Sequence, residues 1–205
     1  MKNSVLLRDY FLLSPTLLLH ILRAGAAFLV LLLIGFFAGL LRPELTEPML
    51  RLYTGTAADA GLYQVESGAL MATILANNLL SALAPIAVGL IPFLYLSAFS
   101  LGLNAVIFGA LAAYYQTSGL GLPAYLAGTL PHGVAELPAL VISCGAGLYL
   151  CETVTGRVLG RDSAPPAPQA LGEALKAYTH WVAPLLLIAS ALEAFVTPRI
   201  FALFM

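Results

Sequence analysis

"AGAAFLVLLLIGFFAGLL", Ala24 to Leu41, runs for 18 residues without one charged or polar side chain. As a helix it reaches roughly 27 Å at ~1.5 Å per residue, close to the ~30 Å hydrocarbon thickness of a bilayer. Lipid offers no hydrogen bonds to an open backbone, so a run of this kind crosses as a helix. The rest of the chain has the same character. Of its 205 residues 60% are hydrophobic and 9% charged, where soluble domains carry about 25% charged residues. Too little polar surface is left to cover a soluble particle. The net charge is −1 and the nine Lys and Arg are scattered. That excludes nucleic-acid binding, which needs a basic stripe.

Before this run, Ser4 to Leu13 with Arg8 and Asp9 reads as a short interfacial helix, and Ser14-Pro15 as a helix start. Arg8, Asp9, His20 and Arg23 interrupt the apolar character, so the segment is expected to be a retained signal anchor and not a cleaved signal peptide. Beyond it, apolar and wet segments alternate. The expected class is all-α: one integral membrane domain over residues 1–205, a polytopic transmembrane helix bundle of about five spans. The spans are placed at about 17–41, 69–91, 92–115, 124–151 and 178–196, with wet loops over 42–68 and 152–176. "SAPPAPQ" is the stiff, extended centre of the second loop. Residues 124–151 are longer than one crossing needs, and Pro131 and Pro138 lie inside them. A broken or re-entrant helix is expected there, a short piece to Leu130 followed by the main span from His132. An odd number of spans puts the termini on opposite sides. Lys2, Arg8, Arg23, Arg157, Arg161 and Lys176 then share one side, and Arg42, Arg51 and Arg199 the other. Positive charge stays inside, which favours N-in, C-out.

The exceptions to the apolar pattern carry the functional information. His132 and Glu136 are four apart and share a helix face; Glu193 lies in the last span, Asn77 and Asn78 in the second, Asn104 in the third. A charge at the centre of a membrane helix is unfavourable by roughly 2.5–3.5 kcal/mol on insertion scales. Both glutamates therefore face inward, and need a proton, a partner or a water-filled cavity. Three readings fit: a hydrogen-bonded network pinning helices together, a metal site, or a path for protons or solutes. Imidazole with carboxylates suits Zn²⁺, with His132, Glu136 and Glu193 as ligands and an asparagine completing the shell. The asparagines also suit glue between helices. Gly35 with Gly39, Gly102 with Gly109, Gly133, and Gly145 with Gly147 are small residues that let backbones approach, within the chain or in a homo-oligomer. His20 and His180, near span ends, are expected at the interface. Cys144 and Cys151 lie two turns apart on one face, roughly 10 Å, too far for a disulfide within a helix. No Walker loop, G-x-S-x-G, G-x-G-x-x-G before a strand or H-E-x-x-H is present.

"NN" in the second span, "PHGVAELPA" with "GAGL" in the fourth, and "EAFVTP" closing the last resemble the stage II sporulation protein M family of small polytopic bacterial and archaeal membrane proteins. The resemblance covers roughly Ala69 to Pro198. Its pattern falls on Asn77, Asn78, Pro131, His132, Gly133, Glu136, Leu137, Pro138, Gly147, Glu193 and Pro198. The pattern leads one to expect a basic residue near Tyr149, where this chain has tyrosine. What the resemblance implies is a membrane scaffold of the bacterial cytoplasmic (inner) membrane. In endospore formers the namesake works during engulfment with two peptidoglycan-remodelling partners and has no enzymatic activity of its own. The leading expectation is thus a non-enzymatic scaffold in contact with lipid and with other membrane or envelope proteins. The alternatives are an intramembrane zinc site with hydrolase activity, and a small transporter or lipid-moving protein with broken helices around Pro85, Pro131 and Pro138.

Overall fold

The protein is described by a computed structural model that covers residues 13–44, 67–161 and 164–204. The segment expected as an interfacial helix lies outside those residues except for Leu13, as does most of the first wet loop. The described residues form helices and no strand.

Helix α1, Pro15–Leu41, starts where the sequence places it: Ser14 caps it, its Oγ accepting from the Leu17 N–H at 3.3 Å, with Pro15 in the first turn. Helix α2 is Ser67–Val88 and α3 is Leu96–Thr117. The link between them holds Pro92 and two bulky residues with left-handed backbone, Phe93 at φ 70° and Tyr95 at φ 46°. Such residues adopt this conformation only where the surroundings impose it. The first part of this link is held by the end of the long helix α4, Gly121–Val158. Thr155 Oγ1 accepts from the Phe93 N–H at 2.9 Å, and the Cys151 thiol donates to the Ile91 carbonyl at 3.3 Å.

Two expectations are corrected at α4. The helix is not broken near Pro131 or Pro138; it runs through both without interruption for 38 residues, roughly 57 Å. Each proline removes one backbone bond, but packing of the buried face, with Gly133, Ala135 and Ala139, holds the path. Of α4's most apolar window 56% is buried, against 22% for α1 and 17% for α2. It is the central helix and touches every other element.

The second wet loop is also shorter than expected. Glu152–Val158 belongs to α4, and helix α5, Ala167–Ala177, follows the proline cluster. Pro166 keeps the extended conformation read from "SAPPAPQ", and the helix begins one residue later. Alanines give α5 its place: Ala170, Ala174 and Ala177 are fully buried against Leu17, Ile21, Tyr149 and Leu150. The chain continues through one π-helical turn, Tyr178–Val182, into α6, Ala183–Phe195, and the short α7, Thr197–Phe201. The wide turn is placed where Pro184 has no N–H to give the carbonyl of residue 180.

The outside is apolar. Leu22, Leu29, Leu33, Ile34 and Phe37 of α1, Leu80 of α2 and Phe99 of α3 are all more than half exposed. Inside, helices meet through glycine. A Cβ at Gly35 would lie 2.8 Å from Val106 Cα, one at Gly109 2.7 Å from Phe36 N, and one at Gly39 2.7 Å from Ala113 Cβ. These contacts lock α1 against α3. Gly145 makes the same approach to Ile21 Cα at 2.7 Å, and Gly147 to the Pro85 backbone. At Gly102 and Gly133 a Cβ would meet only ordinary contacts, at 3.5 and 3.7 Å. Hydroxyls join helices too: Ser97 donates to the Pro85 carbonyl at 2.7 Å, Ser143 to Ala82, Tyr178 to Leu79 at 2.8 Å and Tyr125 to Phe108 at 3.1 Å. Cys144 and Cys151 are buried free thiols.

Candidate intramembrane site

His132 and Glu136 stand one turn apart on α4, roughly 16 and 22 Å along the helix from its start at ~1.5 Å per residue. Both residues lie inside the candidate membrane span Gly121–Val158. The imidazole Nε2 is 3.8 Å from Glu136 Oε2, and the two side chains are 13% and 27% exposed. Glu193, half-buried, comes from the last turn of α6. Its carboxylate completes a triad in which one donor atom from each of His132, Glu136 and Glu193 lies within 4.8 Å of the others.

The "EAFVTP" segment does two things here. α6 ends at Phe195, and the chain turns at Val196 (φ −105°, ψ −51°) into α7, with Pro198 in its first turn. The turn brings Thr197 Oγ1 to 3.1 Å from His132 Nδ1. The same hydroxyl donates its only proton to the Leu192 carbonyl at 3.1 Å. Toward the imidazole it can only accept, so Nδ1 carries a proton and donates it. In the neutral ring the Nε2 lone pair then points toward the carboxylates.

The asparagines stand apart from the triad. Asn104 donates to the Ser100 carbonyl of its own helix at 2.9 Å. Asn77 is exposed and Asn78 half-buried, and no described hydrogen bond joins either amide to His132, Glu136 or Glu193.

A second polar cluster, which the sequence reading did not assemble, lies at the other end of α4, roughly 24 Å from Glu136. His20 Nε2 is 2.7 Å from Glu152 Oε2, and its Nδ1 is 2.8 Å from the Thr16 carbonyl. Its ring meets Tyr149 edge to face, with centroids 5.6 Å apart. Glu173 of α5 accepts from Ser14 Oγ at 2.5 Å and Tyr149 OH at 3.1 Å on one oxygen, and from Gln169 on the other at 3.3 Å. Three helices, α1, α4 and α5, are tied there. His20 was legible only as an interfacial residue, because Glu152 and Glu173 read as loop. Alanines spaced three to four residues apart, Ala167, Ala170, Ala174 and Ala177, are the signal that would have placed Glu173 on a helix. His180 bonds within its own helix, its Nδ1 2.9 Å from the Lys176 carbonyl.

No curated protein and no solved structure matches the chain. The family model described as stage II sporulation protein M matches residues 24–198, which include all five candidate spans in whole or in large part and the complete triad. The apolar exterior and five spanning helices make this a multi-pass membrane protein, and the chain belongs to the stage II sporulation protein M family.

Proposed function

We propose that the protein is a non-enzymatic scaffold of the bacterial inner membrane, oriented N-in and C-out, that holds envelope-remodelling partners at fixed positions. The observation that carries this is where the interior polar groups go. Ser97, Ser143, Tyr125 and Tyr178 each bond the backbone of another helix, and Ser14, Tyr149, Glu173, His20 and Glu152 tie α1, α4 and α5 together. A bundle built this way keeps one arrangement and presents its connections at constant spacing. Family membership supports the membrane setting. The continuity of α2 and α4 through Pro85, Pro131 and Pro138 supports the scaffold over a transport path, which would favour unwound backbone there.

The test is photocrosslinking in the native host from exposed positions at both ends of the bundle, such as Ser118 and Leu159. Specific adducts with peptidoglycan-acting enzymes are expected. A chain that still supports normal envelope growth yet yields no such adduct from either end would overturn the scaffold role.

A further inference from the structure

We propose that His132, Glu136 and Glu193 bind a divalent transition-metal ion, zinc by donor chemistry, through His132 Nε2 and one oxygen of each carboxylate. This goes beyond the scaffold role and does not depend on it.

Three observations converge. The first is spacing. Zinc holds nitrogen and oxygen donors at about 2.0–2.2 Å, which sets tetrahedral ligands roughly 3.4 Å apart. The 3.8 Å between His132 Nε2 and Glu136 Oε2 is too long for a direct hydrogen bond but near that separation. All three donors fall within 4.8 Å of one another. Small side-chain rotations close the set on one ion and leave a fourth position for water.

The second is the orientation of the imidazole. Metal-bound histidines donate their other N–H to an oxygen that fixes ring and tautomer. Here Nδ1 donates to Thr197 Oγ1 at 3.1 Å, and that hydroxyl donates in turn to the Leu192 carbonyl at 3.1 Å. A buried imidazole N–H needs an acceptor in any case; what this arrangement adds is direction, since it turns the lone pair of Nε2 toward the two carboxylates.

The third is charge. Two ionised carboxylates side by side at this depth are strongly unfavourable. A neutral imidazole, two carboxylates and one divalent cation sum to zero. The same ion would join α4 to the end of α6, which no other pair of charged side chains does among the described residues.

The test uses the full-length chain in detergent, loaded with Zn²⁺, desalted and assayed for metal. Wild type should retain about one zinc per chain, as a three-ligand site does. His132→Ala, Glu136→Gln and Glu193→Gln should each retain little. Thr197→Val keeps all three ligands and should weaken zinc binding about 10–100-fold, read by competition with a chromophoric chelator. Asn104→Ala, outside the triad, should bind as wild type does. Co²⁺ in the wild-type chain should give the visible absorption of a low-coordinate nitrogen–oxygen site, a readout independent of how well any variant folds. Zinc held equally by wild type and the ligand variants marks surface binding and overturns the proposal. A wild-type chain that takes up neither Zn²⁺ nor Co²⁺ at micromolar concentration overturns it as well.

Discussion

Thr197 shows how much one hydroxyl can organise inside a membrane. It accepts from His132 and donates to Leu192, so a single atom sets the imidazole's tautomer and closes the end of α6. Replacing it by valine keeps the shape and removes both bonds. Hydrogen bonds between membrane helices are worth about 0.6 kcal/mol on average and rarely reach 2 kcal/mol. Thr197→Val is therefore expected to destabilise the chain by about 1 kcal/mol, while Thr197→Ser stays near wild type. Thermal unfolding in one detergent decides it: equal midpoints for the valine and serine variants would mean the hydroxyl does not hold the ring. This residue also marks where the sequence stops being readable. His132 and Glu136 stand out because an ionisable pair at i, i+4 is conspicuous in an apolar run, and Glu193 for the same reason. Threonine is ordinary in membrane helices, so its role emerges only when the turn at Val196 places it. Near Tyr149 the family pattern leads one to expect a basic residue; the structure puts the His20 ring there instead, reached across 129 residues of chain that no local pattern links.

Among the elements, the contact between α1 and α3 depends most on the absence of side chains. At Gly109 a Cβ would overlap the Leu32 carbonyl and lie 2.7 Å from Phe36 N, both backbone atoms. Neither neighbour can rotate away, so Gly109→Ala must push two helices apart. Overpacking of this kind costs typically about 1–3 kcal/mol. Gly25→Ala is the control, since its Cβ would sit 3.5 Å from a Val141 methyl, an ordinary contact. The expected result is a clearly lower unfolding midpoint for Gly109→Ala and a near wild-type value for Gly25→Ala. Similar midpoints would refute the close packing. Small-residue spacing in the sequence pointed to such joins, and at Gly35, Gly39, Gly109, Gly145 and Gly147 backbone or Cβ atoms do come that near. It could not separate these from Gly102 and Gly133, because the spacing says which residues are small and not which face meets a partner. Helix ends were hidden for a related reason. Pro131 and Pro138 signal a break in an isolated helix, yet α4 packs against every other element and stays whole. Glu152 and Glu173 read as loop, yet both are helical and join a cluster with His20 and Tyr149, Glu152 remaining exposed.

Across the whole molecule, polarity is arranged along α4. The triad lies partway along this apolar span, the His20–Glu152–Glu173 cluster lies at one end, and the flanks are leucine and phenylalanine facing outward. Parallel contacts of α1 with α3 (Gly35 to Val106, Gly39 to Ala113) and antiparallel ones with α4 (Gly25 to Val141, Gly145 to Ile21) fix the directions of the helices. The start of α1, the α2–α3 link and the end of α4 therefore share one face, and the α3–α4 turn lies on the other. Arg157 and Arg161 fall on the first face, Arg42 and Arg199 on the second. The orientation proposed above puts the first face in the cytoplasm. Cysteine labelling reads this directly, because both native thiols are buried, Cys144 and Cys151 being fully shielded. Ser118 in the α3–α4 turn and Leu159 at the end of α4 are exposed, with Leu159 at 54%. In intact cells a membrane-impermeant maleimide is expected to modify Ser118→Cys and to spare Leu159→Cys until the membrane is opened. The reverse pattern would invert the orientation. Modification of both from outside would break the alternation of α3 and α4 across the bilayer, on which the depth of the triad rests.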